Sequence, residues 1–217
     1  MPRAGAAADR ASINTPRRRH VDTSRREELL ASIEDIFLAE GFTSVTVDDL
    51  TKRLRCSKAT LYSVASTKEQ LVIAATKHFF ATEAEGIEAA VAEEPDPRLR
   101  ITTYLAGVAK AMRRNSRAFY ADMVAYRPTA EIYARNTDRA AARVQEMIAE
   151  GVESRRFRAT DATFAAQLVA LAIDAVQSGV LLERTGLSAA DAFSELADLL
   201  LHGLLRNDSP HDQGRAR

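Results

Sequence analysis

Residues 46–71, TVDDLTKRLRCSKATLYSVASTKEQL, place hydroxyls, amines and a phenol at spacings that bring them to one surface. Thr46 can N-cap a first helix in which Val47, Leu50 and Leu54 share a face. Asp48 and Asp49 fall in its first turn, where the helix dipole favours acids. Arg55 and Cys56 follow as a turn, and Ser57 can cap a second helix from Lys58 to about Ser63. In that helix Leu61 packs inward, while Lys58, Ala59, Thr60 and Tyr62 stay open to a partner. Lysine offers a charge-assisted bond to phosphate or guanine, threonine a hydroxyl and a methyl, alanine room for a thymine methyl, and tyrosine a rigid donor. Two short helices at this spacing have the form of a helix-turn-helix, whose second helix enters a major groove. Thr67 and Gln70 have the spacing of a capping box for a third helix that follows at once.

These groups need a frame, and the flanking sequence supplies one. From Asp22 or Ser24 the pattern is helical, with Leu29, Leu30, Ile33, Ile36 and Phe37 at spacings of three and four until Gly41 ends the run. Phe42, Val45 and Val47 continue the small core. A three-helix unit over residues 22–66 results, and a long helix from Thr67 to about Glu93 leads out of it until Glu94-Pro95-Asp96-Pro97 breaks the pattern. Beyond the break there is no strand signal. Helices are expected from Leu99 or Ile101 to Met112, from Ser116 to about Tyr126, and from Pro128 to about Gly151. After a connector at Arg155–Arg158, a helix from Thr160 or Asp161 ends near Leu182. Gly186 marks a turn, and Ser188 with Asp191 caps a last helix to about Leu205.

The expected fold is therefore all-α with about nine helices: a helix-turn-helix unit at 22–66 and a helical domain at 67–206, between polar tails at 1–21 and 207–217. The first tail carries Arg3, Arg10, Arg17, Arg18 and Arg19 against Asp9 and should be disordered alone. Two readings of it stand: a solvated leader or misassigned start, and an arm that adds phosphate or minor-groove contacts.

Composition bounds the rest. A chain of 217 residues with 46% hydrophobic content can bury a substantial core, and a formal net charge of zero argues against unselective coating of nucleic acid. One cysteine, Cys56, excludes an intrachain disulfide framework and a multi-cysteine metal site, and makes a reducing cytoplasm the natural compartment. The longest apolar stretch, residues 168–182, is interrupted by Asp174, Gln177 and Ser178 and is too short to span a bilayer. No secretory segment follows the N-terminal arginines, so a soluble protein is expected.

The last helices read as broader than one buried face. Phe164, Leu168, Leu171, Ala175, Gly179 and Leu182 make one apolar stripe, and Val169, Ile173, Val176 and Val180 a neighbouring one. The final helix is as wide, with Phe193, Leu196, Leu199, Leu200, Leu201, Leu204 and Leu205. Terminal helices lie at a domain's periphery, so two-sided burial points to a symmetric homodimer with Leu168, Leu171, Ala175, Gly179, Leu182, Phe193, Leu196, Leu200 and Leu204 at the interface.

The segments GF.S.TV.DL, CSKATLY and STKEQL, from Gly41 to Leu71, together with the helix order, resemble the TetR family of transcriptional regulators. The resemblance implies an N-terminal DNA-binding domain and a C-terminal domain that binds a small ligand and forms a homodimer. It further implies a repressor that leaves a pseudo-palindromic operator when ligand changes the separation of the reading heads. Residues 57–63 become the recognition helix: Ser57, Lys58, Ala59 and Thr60 lie nearest bases or flanking phosphates, Tyr62 clamps a phosphate, and Thr46 and Lys68 brace the backbone on either side. The chain departs from the family pattern in three places. Arg55 replaces a common turn glycine, Ser63-Val64-Ala65 stands where aromatic or histidine residues are usual, and Cys56 replaces a small aliphatic residue.

If the central helices surround a pocket, its expected lining is His78, Tyr104, Val108, Met112, Phe119, Met123, Tyr126, Tyr133 and Phe164, with Asp174 and Gln177 as polar groups. That composition suits a hydrophobic or aromatic effector. Aromatics and methionines at helical spacing equally form plain core, and the polar stripe equally faces solvent. No cofactor or metal is expected, since the four histidines, His20, His78, His202 and His211, are scattered. No phosphate-cradling glycine loop or nucleophile elbow occurs, which argues against an enzyme. The alternative to a regulator is a helical protein-interaction module that keeps the fold without selective DNA binding.

Overall fold

The computed structural model describes residues 16–204, all helical apart from turns and connectors. The expected tail segments at 1–15 and 207–217, and the end of the last helix at Leu205, lie outside the described residues. Ten helices follow one another: α1 Pro16–Glu40, α2 Val47–Arg53, α3 Lys58–Tyr62, α4 Lys68–Glu93, α5 Pro97–Met112, α6 Arg117–Ala125, α7 Arg127–Glu153, α8 Ala162–Gln177, α9 Val180–Thr185 and α10 Ala189–Leu204. α1 begins inside the stretch assigned to the basic tail. Pro16 suits a first helical position, and apolar periodicity could not report the start because no large apolar residue stands between Pro16 and Val21.

The helix expected to run from Asp161 to Leu182 is two. Gly179 takes φ 81°, a left-handed conformation that closes α8 and opens α9. This adds the tenth helix. The other boundaries follow local chemistry: Asp96 accepts from the Arg98 N–H at the start of α5, Ser116 from the Phe119 N–H at the start of α6, and Asp161 from the Phe164 N–H at the start of α8.

Helix α1 packs on α4 and α6, α4 lies against α5 and α7, and α8 and α10 close the far end against α7 and α5. One core runs through both units. Ile33, Phe37, Leu50 and Leu61 of the first three helices, with Phe42 of the loop after α1, continue into Leu71 and Phe79 of α4 and Phe119 and Met123 of α6. A second core joins Val91, Ile101, Leu105, Val144, Ile148 and Val169 with Ala197 and Leu204. Phe157, in the expected connector, is 3% exposed and belongs to that second core.

Candidate DNA-reading face and cavity

Local capping builds the first three helices. Thr46 accepts from the Asp49 N–H at 3.1 Å, while the Asp49 carboxylate accepts from the Thr46 N–H at 3.0 Å, a reciprocal box that fixes the start of α2. The Thr46 hydroxyl, which donates to the same carboxylate at 2.6 Å, and the Thr46 N–H together pull the Asp49 carboxyl below its ordinary value. Leu54 ends α2, and Arg55 turns the chain at φ 48°. A non-glycine residue at this angle is strained by about 1 kcal/mol. Ser57 accepts from the Thr60 N–H at 3.0 Å and caps α3, and its hydroxyl lies 2.8 Å from that of Thr60.

Leu61 is fully buried and orients α3, leaving Lys58, Ala59 and Tyr62 exposed and Thr60 half-exposed on one outward face. The Lys58 ammonium lies 2.7 Å from the Asp48 carboxylate, whose hydrogen bond and charge raise its pKa. Thr46 is exposed beside this face. Lys68 reaches back to the Thr43 carbonyl at 3.4 Å. Before α4, Thr67 accepts from the Gln70 N–H, but the Gln70 side chain accepts from the Ser66 N–H at 3.0 Å, one residue earlier than a strict capping box. Val64 and the partly buried Cys56 and Ala65 pack on the core. In the segment 63–65, only Ser63 points outward.

A cavity of about 820 Å³ lies between α4, α5, α7 and α8. Of the expected lining residues, Tyr104, Val108 and Met112 border it. The others serve elsewhere, for identifiable reasons. Phe119, Met123 and Tyr126 are drawn into the joint between the two units, where Phe119 and Tyr126 meet the Phe42 ring edge-on at 6.2 and 6.1 Å. His78 turns toward α1, its Nδ1 at 2.6 Å from the Glu34 carboxylate. Asp174 accepts from the Tyr120 and Tyr133 hydroxyls at 2.9 and 3.2 Å. Burial and that carboxylate push Tyr120 up to about 12 and raise Tyr133, so both phenols stay neutral donors. Phe164 faces outward, and Gln177 ends α8 outside the cavity wall.

The walls that sequence reasoning missed come from α4 and α7: Lys77, Phe80, Ala84, Ile87 and Glu88 on one, Ile132, Arg135, Arg139, Arg143 and Val144 on the other. Both sets recur at three and four residues, a signal present in the sequence, but one shared by any packed face. Tyr104, its hydroxyl pushed up to about 12 by burial and by Glu88, is the buried phenol of the wall. Among the described residues, no group of His, Cys, Asp and Glu is arranged to hold a metal, and no helix is long and apolar enough to cross a membrane.

Residues 29–75 match the model of the bacterial regulatory proteins of the tetR family. Over this segment the chain is similar to the DNA-binding segment of that family. No curated protein matches it significantly. Among solved structures, a protein from Saccharomonospora viridis described as a transcriptional regulator in complex with choline aligns at 18% identity and TM-score 0.72, covering 85% of this chain and 100% of that one. A TetR transcription regulator from Haloarcula marismortui aligns at 15% identity and TM-score 0.71, covering 84% and 100%. A TetR-family regulator from Agrobacterium tumefaciens aligns at 13% identity and TM-score 0.68, covering 85% and 100%. The matched residues contain α2 and α3.

Within this fold, the joint between the units is both apolar and charged. Asp122 of α6 accepts from the Phe42 and Thr43 N–H groups at 2.7 and 2.8 Å, anchoring the chain just after α1. Gly41 sits there at φ 77°, where an added Cβ would meet that carboxylate at 2.6 Å. Arg114, between α5 and α6, is a hub. It bonds to Glu34 at 3.0 Å, to Asp35 at 2.9 Å and to Glu83, while its guanidinium lies 5.6 Å from the centre of the Phe79 ring. Because Glu83 borders the cavity and Glu34 belongs to α1, the hub links the cavity wall to the unit formed by the first three helices.

The two stripes of α8 separate as two faces. Val169 and Val176 are buried, whereas Phe164, Leu168 and Leu171 are 68, 54 and 68% exposed, and Leu199 of the adjoining α10 is 70% exposed. Of the other residues expected at an interface, Phe193, Leu204 and Gly179 are buried within the protomer, and Ala175, Leu182, Leu196 and Leu200 are half-buried. Packing of α10 on α5 and α8 accounts for Phe193 and Leu204, which join the two cores of the protomer itself.

Proposed function

We propose that the protein is a homodimeric transcriptional repressor that binds a pseudo-palindromic operator and is released when a small molecule occupies the cavity. The observation that carries the reading is the outward face of α3, set by the Ser57 cap on one side and the buried Leu61 on the other. Lys58, Ala59, Thr60 and Tyr62 are then the groups aimed at a groove, with phosphates displacing Asp48 as the partner of Lys58. Ser57, Thr46 and Lys68 flank them.

The exposed residues of α8 and α10 support a dimer. Large apolar side chains clustered on neighbouring helices are covered in solution, and a twofold axis would bring the two copies of Phe164, Leu168, Leu171 and Leu199 together. A dimer presents two α3 helices to half-sites about 34–36 Å apart or a multiple of that distance. Choline held by the Saccharomonospora viridis protein is consistent with a small-molecule role for the fold, and the Arg114 hub offers a path by which occupancy reaches α1.

Fluorescence anisotropy with the duplex upstream of the protein's own gene tests this reading. The expected result is salt-sensitive binding that clearly exceeds binding to random duplex at the same ionic strength. Equal affinity for both duplexes would overturn it and favour an interaction module.

A further inference from the structure

The cavity carries a charge pattern that its apolar body does not require. Ile87, Tyr104, Val108, Val144, Val169 and Ile173 give it hydrocarbon walls, whereas its mouth between α4 and α7 is edged by ionised groups. The carboxylates among these are already committed. Glu83 is bonded to Arg114, and Glu88 and Glu146 lie 3.1 and 3.2 Å from Arg143. Lys77, Arg135 and Arg139 are exposed, and none has a carboxylate within ion-pair distance among the described residues.

Phe80 meets the Tyr133 ring at 6.2 Å and Glu88 pairs with Arg143, so α4 and α7 run parallel along the mouth, with Arg135 and Arg139 between those two contacts and Lys77 one turn before the first. Uncompensated positive charge beside a low-dielectric wall focuses the field along the mouth and favours anions there. Two guanidiniums four residues apart on α7 share one helix face and offer the planar forks that fit a carboxylate. A cationic ligand would meet repulsion and find no free carboxylate among the described lining residues.

We infer that the effector is an amphipathic carboxylate, its aliphatic or aromatic body among Ile87, Tyr104, Val108, Val144 and Val169, and its head held by Arg135 and Arg139. This inference rests on reading the cavity as the effector site. It narrows a hydrophobic or aromatic ligand to one bearing an anionic end.

Isothermal titration calorimetry of the full chain tests it with matched probes below their micellar concentrations: decanoate, decanol and decyltrimethylammonium, and 2-naphthoate against 2-naphthol. At least one carboxylate should bind roughly tenfold or more tightly than its uncharged counterpart, with decyltrimethylammonium the weakest of the decyl series. Arg135→Gln/Arg139→Gln should abolish the preference while leaving decanol or naphthol binding unchanged. The preferred carboxylate should also weaken operator binding by the native chain. The inference is overturned if neither carboxylate binds, if the alcohol or the ammonium binds as tightly, if the preference survives in the double variant, or if binding leaves operator affinity unchanged. Operator titration without any probe reports separately on DNA reading, so the two proposals fail independently.

Discussion

Replacing Arg114 with methionine should expose what the charged joint contributes. Glu34 is 5% exposed and accepts from Arg114 at 3.0 Å, with His78 as its other partner. Removing one partner of a buried ion pair costs about 3–5 kcal/mol, because the remaining charge loses compensation without regaining water. Two features reduce that figure here: Arg114 is itself 39% exposed, so solvent screens part of the attraction, and His78 stays in contact. About 2 kcal/mol remains, which lowers Tm by roughly 4–8 °C for a chain of this size. Methionine preserves much of the contact with Phe79, so the loss reports on charge. Thermal unfolding followed by circular dichroism gives the readout. The double variant Glu34→Leu/Arg114→Met removes the orphaned carboxylate and should recover about half of the loss, whereas Asp35→Asn, at an exposed partner, should change stability by less than about 0.5 kcal/mol. A double variant as unstable as Arg114→Met alone would refute the reasoning, since the cost would then lie in lost packing and not in an uncompensated charge.

Further outcomes follow from other parts of the molecule. Tyr62→Phe should weaken operator binding several-fold at every site tested, and Lys58→Ala should reduce the slope of log affinity against log salt by about one, both measured by anisotropy. Arg55→Gly should stabilise the protein by about 0.5–1 kcal/mol in urea unfolding, because glycine accepts a φ of 48° without the clash of a Cβ. Leu168→Glu/Leu171→Glu should yield monomers by light scattering with little change in helical content, since both residues are exposed within the protomer. Asp96, which caps α5, has its pKa lowered to about 2 by side-chain and backbone hydrogen bonds with Arg98. A depressed folded pKa stabilises the protein above the ordinary value of 3.8 and ceases to do so as pH falls through about 2, so an NMR titration should find this carboxyl still ionised at pH about 3.

Much of the DNA-reading unit was legible in the residues because its determinants are local. A threonine or serine before a helix, acids in the first turn and one leucine per turn facing inward act over a few residues, and so Thr46, Ser57 and Leu61 are found where their spacing placed them. The departure at Arg55 was readable for the same reason. A tight turn imposes its φ on whatever residue occupies it. Even locally, one boundary escaped: Gly179 counted as a member of an apolar stripe, whereas its left-handed backbone divides α8 from α9.

Helix order, the caps and the two apolar stripes of α8 were thus determined by the sequence, which reports on short-range propensity and on how many faces a helix must bury. Which stripe lies inside was a tertiary decision. Val169 and Val176 face α7 and α10, while Leu168 and Leu171 are left uncovered, because a helix packed on two neighbours in its own chain still has a third side. The cavity was decided in the same way. Its lining comes from four helices, α4, α5, α7 and α8, and periodicity cannot tell a wall facing a neighbour from a wall facing a space. Phe119, Met123 and His78 have the residue types of a pocket, yet the approach of α1 turns them into the joint, and the chain places Arg135 and Arg139 at the mouth instead.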